Sequence, residues 1–182
     1  SRFSDKVGYY IPDRHLEGYG ISFQGIDYAQ QEEYNLIIAL DCGIRAVKQV
    51  EYASNKGIDF IICDHHTPGP NIPRSISVLN PKQTDCKYPY KELSGCGVGF
   101  KLIQAISEKE NIDFTEIAEY LDLLAVSIGA DIVDMTGENR VLAFYGLRII
   151  NQSPRIGLKV IIEKIRKTRE LSISDVVFGI AP

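Results

Sequence analysis

The sequence predicts an α/β fold in which a parallel β-sheet is flanked by helices in a Rossmann-like arrangement, with a mostly helical C-terminal part. Two mainly apolar runs, residues 36–40 and 59–63, have the length of strands and are separated by a stretch with helical periodicity. A β-α-β unit has a right-handed crossover, so both strands end at the same edge of the sheet. We therefore expect two buried strands whose following side chains converge.

The crossover helix is predicted by the spacing of Ile44, Val47 and Val50, and the segment 55–57, Asn-Lys-Gly, is a typical helix stop. After the second strand, residues 67–73 form a loop rich in glycine and proline. The later elements are predicted from the same periodicities. They are a short strand at 75–79, a helix that opens within 93–100 and runs toward Glu108, and helices at 114–126, 139–151, 155–167 and 172–180.

Length and composition fit one substantial core. The chain has 182 residues, 45% of them hydrophobic, and a net charge of −4, which argues against a wholly basic nucleic-acid coat. We expect residues 1–135 to form the α/β core and residues 136–182 to form a helical extension. Because the sequence contains no apolar run of about 18 residues and no signal-peptide pattern, we predict a cytoplasmic protein without a membrane span.

The cysteines have no CxxC spacing, and two of them lie in or beside the predicted strands. This pattern predicts reduced thiols and neither a disulfide framework nor a zinc framework. The four residues are Cys42, Cys63, Cys86 and Cys96.

Basic residues are concentrated near the C-terminal end of the sequence. Between residues 155 and 169 there are six basic side chains and one acidic side chain, Glu163. The surplus could meet phosphates, and a solvated helix face is the alternative interpretation. The basic residues are Arg155, Lys159, Lys164, Arg166, Lys167 and Arg169.

Metal-binding side chains follow both predicted strands. Asp41 comes directly after the first strand, and residues 64–66, Asp-His-His, come directly after the second. Asp131 follows an apolar helix and small residues, and a cap or turn is its alternative role. Carboxylates and imidazoles without thiolates suit a manganese-like ion, and a pair of such ions can activate water for phosphoester hydrolysis. The alternative for the triplet is a strand-end turn in which Asp64 is a cap and the histidines pack.

Three glycines open the helix after residue 93. Gly95, Gly97 and Gly99 would let the backbone approach a ligand closely, and the unpaired N–H groups of a helix start favour an anion. Tight packing of the helix explains the same glycines equally well.

These motifs together resemble the DHH phosphoesterase superfamily, which is named for the Asp-His-His triplet. Residues 39–43, 63–66 and 129–131 look like its second, third and fourth motifs. The further stretches 8–14, 17–20, 79–82 and 93–102 resemble the branch of bacterial 5′ to 3′ exonucleases specific for single-stranded DNA in recombination and repair. The likeness covers almost the whole chain.

The resemblance implies a set of roles. Asp41 would bridge two metal ions, with Mn²⁺ favoured and Mg²⁺ as the alternative, and His65 and Asp131 would complete the shell of one ion. Asp64 would orient or join that shell, and His66 would contact the scissile phosphate or assist the attacking water.

The resemblance also implies a path for single-stranded DNA beside the metal. Ser94, Gly95, Gly97 and Gly99 would shape that path. With nucleic acid as the expected substrate, the basic segment that begins with Arg155 and Lys159 becomes a candidate DNA-facing surface. Recombination and repair proteins are the expected protein partners.

Two departures from the family pattern lead to further expectations. No strand ending in paired aspartates precedes Asp41, so the family's first motif is unmatched, and the isolated Asp5 and Asp13 are expected to have structural or surface roles. The chain also stops at Pro182, where relatives are expected to continue into a nucleic-acid-binding domain. We expect this piece to hold at most one ion well and to be inactive or barely active.

Two other functions remain open at this point. A DHH phosphoesterase acting on short oligonucleotides or cyclic dinucleotides would have a similar core and a different binding domain. A DHH-like module that has lost catalysis would only bind a partner or DNA, and the full set of candidate ligands argues against it.

Overall fold

A parallel three-stranded sheet in the order β1-β2-β3 lies at the centre of the computed structural model, which describes residues 4–165 and 169–180. The strands are β1 (Leu36–Leu40), β2 (Asp59–Cys63) and β3 (Ser77–Leu79). The helices are α1 (Phe23–Gln31), α2 (Val47–Asn55), α3 (Gly95–Lys109), α4 (Phe114–Ala118), α5 (Leu121–Ala130), α6 (Gly137–Gln152), α7 (Ile156–Ile165) and α8 (Ile173–Asp175), the last followed by a π-helical segment (Val176–Ile180).

The β1-α2-β2 unit has the predicted parallel connection through a helix. Leu36 lies opposite Asp59 and Leu40 opposite Cys63, so both strands end at one edge of the sheet. The crossover helix α2 ends at Asn55, and Gly57 adopts φ 73°, a left-handed conformation that suits glycine after a helix. The predicted α/β class with a parallel sheet and flanking helices is confirmed.

Helices cover the two faces of the sheet with separate apolar cores. On one face, α1 and α2 pack on the sheet through Ile26, Val50, Phe60 and Ile62. On the other face, α3, α4, α5 and α6 form a second core that includes Cys63. The central strand β2 is thus buried on both faces, which fixes the position of its carboxyl end.

The prediction that both strands are buried is correct for β2 and wrong for β1. Leu36, Ile38 and Leu40 expose 40%, 48% and 58% of their surface, whereas Ala39 between them is buried. The physical reason is that these alternate side chains lie on the face away from α1 and α2, and β1, one of the two edge strands of the described sheet, is only partly covered on that face. The continuous apolar sequence of β1 therefore predicted burial on both faces, but within the described residues only one face of β1 is buried.

One predicted helix, 114–126, is broken into α4 and α5. Arg155 donates from Nη2 to the carbonyl oxygen of Glu119, 3.0 Å away, at the break. The same guanidinium forms two hydrogen bonds of 2.6 Å with the carboxylate of Asp122, which is 1% exposed. At the break, the carbonyl oxygen of Glu119 and the carboxylate of Asp122 both accept hydrogen bonds from Arg155. Helical periodicity in the sequence does not predict such a tertiary contact.

We expect Arg155→Met to lower the free energy of unfolding by about 3 kcal/mol, because it leaves the Asp122 carboxylate buried without its cation. The value is at the low end for a buried pair, since about a third of the Arg155 side chain, 34%, is exposed. Urea unfolding of the wild-type and variant chains measures it. Lys159→Met, at an exposed position of α7, is the matched control and should change stability by less than about 0.5 kcal/mol. Equal effects of the two substitutions would contradict the structural role of Arg155.

The C-terminal elements differ in detail from their predicted bounds. The predicted helix 155–167 is α7 as far as Ile165, and Arg166 and Lys167 lie outside the described residues. The predicted helix 172–180 begins with a capping box between Ser172 and Asp175 and continues as the π-helical segment. The predicted strand 75–79 is shorter, as β3. Across the described ranges, none of the helices has both the length and the apolar character needed to span a bilayer.

Candidate metal centre

Asp41 occupies the turn at the carboxyl end of β1. Its N–H donates to the carbonyl oxygen of Cys63 at 2.8 Å, so the strand ladder continues through this residue. The backbone of Asp41 has φ 62°, a left-handed conformation that is uncommon outside glycine, and Gly43 follows with φ 110°. Unusual backbone conformations of this kind are concentrated at functional sites, where the surrounding fold holds them.

Three side chains from distant parts of the sequence meet at this edge. His65 Nε2 lies 3.2 Å from Asp41 Oδ1 and 3.3 Å from Asp131 Oδ2. His65 follows β2 and is 7% exposed, whereas Asp131 is the C-terminal cap of α5. The predicted convergence of Asp41, His65 and Asp131 is therefore present, and a metal-binding role of Asp131 stays a prediction.

This arrangement fits a divalent cation. The buried His65 ring is not satisfied by conventional hydrogen bonds within the described residues, and its Nε2 atom faces the carboxylates of Asp41 and Asp131. Buried polar atoms without partners are rare and costly, which indicates a missing ligand. Adjacent ligands of an octahedral ion with bonds of about 2.1 Å are about 3 Å apart, close to the spacings seen here. Two carboxylates and an imidazole suit Mn²⁺ or Mg²⁺ better than a structural zinc.

Asp64 is buried and its carboxylate fixes the backbone around the triplet. Its carboxylate is 1% exposed and accepts hydrogen bonds from the N–H groups of Ile44 (2.9 Å), His65 (2.7 Å) and His66 (3.1 Å). Burial acts to raise the pKa of Asp64, but the hydrogen bonds from Ile44 and His66 outweigh it and keep the pKa below its usual value. With both oxygens engaged, Asp64 is placed to orient the triplet, and of its two predicted roles this geometry favours orientation over direct metal ligation.

His66 is the exposed member of the triplet. Its Nδ1 lies 2.7 Å from Asp64 Oδ1, so the contact with Asp64 fixes the orientation of the ring. The side chain is 58% exposed, and it packs edge-on against His65 with ring centroids 4.6 Å apart. Asp41, His65 and His66 each offer a ligand atom within 4.8 Å of the others. His66 therefore presents an imidazole to whatever binds beside the cation.

The start of α3 contacts both candidate aspartate ligands. The N–H of Gly95 donates to Asp131 Oδ2 at 3.3 Å. A Cβ atom added to Gly95 would overlap the carboxylate of Asp41, so a larger residue at this position would require that carboxylate to move. Ser94 is fully buried, caps α3 by accepting from the N–H of Gly97 at 3.1 Å, and accepts from the Ser127 hydroxyl at 3.1 Å.

The residues predicted to bind substrate have well-defined local contacts. Gly97 and Gly99 are buried, and Gly99 packs against Leu40, which matches the alternative interpretation of close helix packing. Arg155 pairs with Asp122 at the first turn of α5, about 13 Å along the helix from Asp131. Substrate contacts of these residues stay predictions.

The remaining candidates from the substrate-binding set and the basic segment also have defined positions. Lys159 is an exposed residue of α7. Arg169 Nη1 lies 2.8 Å from Asp175 Oδ2, so this basic residue forms an intramolecular ion pair. Asp13, predicted to have a structural or surface role, accepts a hydrogen bond from the N–H of His15 at 2.8 Å, which agrees with that interpretation.

Asn80 and Lys82 lie just after β3, near the triplet, and sequence reasoning gave them no role in the site. Asn80 is 3% exposed and donates from Nδ2 to the carbonyl oxygen of His66 at 2.9 Å, while its Oδ1 accepts from the N–H of Lys82. The positive charge of Lys82 also reaches His65 and acts to lower its pKa. The available signal was the position of the pair just after β3, at the same edge of the sheet.

The carboxylates determine how the site responds to protons. The neighbouring Asp41 carboxylate raises the pKa of His65, burial opposes that change, and the charge of Asp131 raises the pKa further. A cation must displace the proton of this imidazole to bind, so metal affinity should increase as the pH rises through the pKa of His65. Burial also raises the pKa of the free thiols of Cys42 and Cys63 to about 11, which keeps them protonated beside the centre.

The sequence matches the model of a family of known proteins. The family model described as "DHH family, N-terminal domain" matches residues 2–128. Because the match covers more than half of the chain, this chain belongs to the DHH family. The matched residues include the parallel sheet, Asp41 and the Asp-His-His triplet, whereas Asp131 lies beyond them.

Within this family, the chain is similar to proteins named as RecJ exonucleases. The chain is 42% identical over 163 residues to the single-stranded-DNA-specific exonuclease RecJ of Bacillus subtilis (strain 168), covering 89% of this chain and 20% of that protein. It is 35% identical to RecJ of Escherichia coli (strain K12), covering 97% of this chain and 32% of that protein. The chain thus spans about a fifth to a third of the length of these relatives.

Two crystal structures of related exonucleases have the same fold. One, of the exonuclease RecJ bound to manganese, superimposes with a TM-score of 0.83 at 33% identity and covers 95% of this chain and 43% of that chain. The other, of RecJ from Thermus thermophilus in complex with Mn²⁺, has a TM-score of 0.75 at 31% identity and covers 88% of this chain and 24% of that chain.

Proposed function

We propose that the full-length gene product is a metal-dependent exonuclease that hydrolyses single-stranded DNA in the 5′ to 3′ direction during recombination and repair. The observation that carries the proposal is the meeting of Asp41, His65 and Asp131 around one unpartnered imidazole nitrogen, in a member of the DHH family. Similarity to RecJ proteins supports single-stranded DNA as the substrate.

In this proposal, Asp41, His65 and Asp131 hold a divalent cation, with Mn²⁺ favoured and Mg²⁺ as the alternative. Structures of related proteins with Mn²⁺ support that choice. When bound, the cation would supply Lewis-acid stabilisation of the phosphoryl oxygens and a more acidic water. Asp41 is the candidate to bridge to a second ion, since its exposed carboxylate extends beyond the first ligand set.

The remaining residues position the substrate. His66 donates to, or accepts from, the scissile phosphate or the attacking water, and Asp64 keeps its ring in that orientation. Asn80 holds the backbone of His66, so the triplet retains its geometry when substrate binds. The buried start of α3 excludes water from one side of Asp41.

A digestion experiment on the full-length gene product tests the proposal. With Mn²⁺, we expect a single-stranded oligonucleotide labelled at its 3′ end to be shortened progressively, and a duplex of the same sequence to be resistant. A label at the 5′ end should be released first as a mononucleotide. Chelation should abolish the reaction, and activity should increase with pH through the pKa of His65.

Other outcomes of that digestion would select the other two functions. Faster cleavage of a dinucleotide than of the long strand would indicate a phosphoesterase for short oligonucleotides or cyclic dinucleotides. Binding of DNA without any metal-dependent cleavage would indicate a module that only binds. Recombination and repair partners, and a cytoplasmic location, remain part of the same proposal and are tested by co-purification and fractionation from cells.

A further inference from the structure

The turn that joins α5 to α6 carries Asp131 and has a strained backbone. We call residues 131–136 the Asp131 turn. Ile132 in this turn adopts φ 51°, a left-handed conformation in which a β-branched residue is an outlier. Its side chain is 87% exposed, so packing of that side chain does not offset the strain. Contacts from other parts of the chain must therefore hold the Asp131 turn in this shape.

Asn139 makes two of these contacts. Its side chain is fully buried in the first turn of α6. The Nδ2 atom donates to the carbonyl oxygen of Asp134 at 3.0 Å and to the carbonyl oxygen of Glu92 at 2.5 Å. Only the nitrogen of the amide can face two carbonyl oxygens, which fixes the orientation of the group. Asn139 therefore joins the Asp131 turn to the segment that precedes α3.

This connection links two parts of the candidate metal centre. Glu92 lies three residues before Gly95, and the N–H of Gly95 donates to Asp131 Oδ2 at 3.3 Å. The Asp131 turn and the segment 92–95 are thus joined twice, once through Asn139 and once at the carboxylate of Asp131 itself. The bonds of Asn139 limit how far that carboxylate can move from the other candidate ligands.

Tyr90 contacts the same turn. Its hydroxyl lies 2.9 Å from the carbonyl oxygen of Thr136 and 3.1 Å from that of Asp134, and it shares its proton between them. The ring packs closely on Gly137, where an added Cβ atom would lie 2.7 Å from Cε2 of Tyr90. The carbonyl oxygen of Asp134 therefore accepts hydrogen bonds from both Tyr90 and Asn139.

The contacts of Asn139 differ from those of a helix cap. A cap accepts hydrogen bonds from the free N–H groups of the first helical turn, whereas Asn139 donates to carbonyl oxygens of two other segments. Its Oδ1 atom is buried without a hydrogen-bond partner among the described residues. An unpaired buried acceptor is costly, so the two donated bonds are the contribution of this side chain to the structure.

We propose that Asn139 and Tyr90 are positioning residues of the metal centre, which keep Asp131 in place to bind the cation. The inference rests on the proposed function, because it requires Asp131 to be a metal ligand. Residues that orient metal ligands through hydrogen bonds commonly contribute about 10- to 100-fold to metal affinity. In this chain the bonds act on the backbone of the turn that carries the ligand.

Titration of the full-length gene product with Mn²⁺ tests the inference. Asn139→Ala should weaken Mn²⁺ binding about 10- to 100-fold in calorimetry. The Mn²⁺ concentration for half-maximal hydrolysis should rise by the same factor, with kcat at saturating Mn²⁺ close to wild type, because all three candidate ligands remain. The electron paramagnetic resonance spectrum of bound Mn²⁺ should also change, since it reports the geometry of the ligands.

Asn151→Ala is the matched control on the same helix. Asn151 Nδ2 also donates to two carbonyl oxygens, those of Leu147 and Leu171, both at 3.0 Å, but it joins α6 to the segment before α8. This variant should lose stability and keep the Mn²⁺ affinity and spectrum of wild type. Equal losses of affinity in the two variants, or unchanged affinity in Asn139→Ala, would overturn the positioning role.

A second pair of variants decides the inference if Asn139→Ala does not fold. Tyr90→Phe removes only a hydroxyl group and should weaken Mn²⁺ binding about 3-fold. Tyr88→Phe, which removes a hydroxyl that donates to Glu138 Oε2 at 2.7 Å, should leave the affinity unchanged. Unchanged affinity in Tyr90→Phe, or the same loss in Tyr88→Phe, overturns the inference.

The titration also separates this inference from the proposed function. If wild type binds Mn²⁺ but does not digest DNA, only the proposed function fails, because the affinities are measured without DNA. If wild type binds no Mn²⁺, the proposed function and the positioning role both fail. Tight Mn²⁺ binding by wild type and by Asn139→Ala alike overturns the positioning role alone.

Discussion

Replacing Asp41 by asparagine in the full-length gene product should lower Mn²⁺-dependent hydrolysis of single-stranded DNA by about 10³-fold, equivalent to about 4 kcal/mol of transition-state stabilisation. The amide has nearly the same shape but lacks the charge that faces His65 Nε2 at 3.2 Å. Because Asp41 already occupies a left-handed position that asparagine tolerates, the backbone should be preserved. Initial rates with a labelled oligonucleotide, and calorimetric titration with Mn²⁺, measure the two effects.

Asp59→Asn is the matched control for this substitution. Asp59 is an exposed residue at the opposite end of β2, so the same chemical change there should leave rate and metal affinity unaltered. Full activity and full Mn²⁺ affinity in Asp41→Asn, with the control also unaffected, would remove Asp41 from the metal site. An equal loss in both variants would indicate damage to the sheet.

Gly95→Ala should weaken Mn²⁺ binding by about 10- to 100-fold, the usual effect of disturbing a residue that supports a metal ligand. The added methyl group would overlap the Asp41 carboxylate and displace it from His65. A helical position ordinarily gains stability from this replacement, so a loss of metal affinity here isolates the steric effect. Titration calorimetry gives the affinity, and circular dichroism gives the fold.

Gly157→Ala provides the comparison within the same chain. Gly157 lies on α7, and a Cβ atom there would meet nothing within 4 Å. This variant should bind Mn²⁺ like wild type and be as stable or slightly more stable. Normal affinity in Gly95→Ala would show that the Asp41 carboxylate can occupy another position without loss, and the close fit of α3 against β1 would then have no functional meaning.

The positions of β1 and β2, and of the candidate ligands that follow them, could be predicted because they depend on local properties of the sequence. The runs 36–40 and 59–63 end abruptly at Asp41 and at the Asp-His-His triplet, and the parallel connection dictates that these ends meet. Asp131 alone is more often interpreted as a cap, and it became a candidate ligand only together with Asp41 and the triplet, with family resemblance assigning its role.

Other parts of the site depend on tertiary contacts that sequence periodicity does not contain. The fit of Gly95 against Asp41 and the bond from Asn80 to His66 join residues that are far apart in the sequence. The role of Arg155 was not foreseen for the same reason, because its partner Asp122 is buried at a helix break that the apolar spacing concealed. A cluster of basic residues in a sequence says little about which of them are already paired.

The exposed side of β1 has a consequence for handling the isolated 182-residue polypeptide. Within the described residues, β1 has one strand neighbour, and three of its aliphatic side chains face solvent beside backbone groups available for pairing. An unpaired strand edge of this kind can pair with a strand of a second molecule. We therefore expect concentrated samples to undergo intermolecular β-pairing and precipitation, and expect Ile38→Lys to reduce both by introducing a repelling charge.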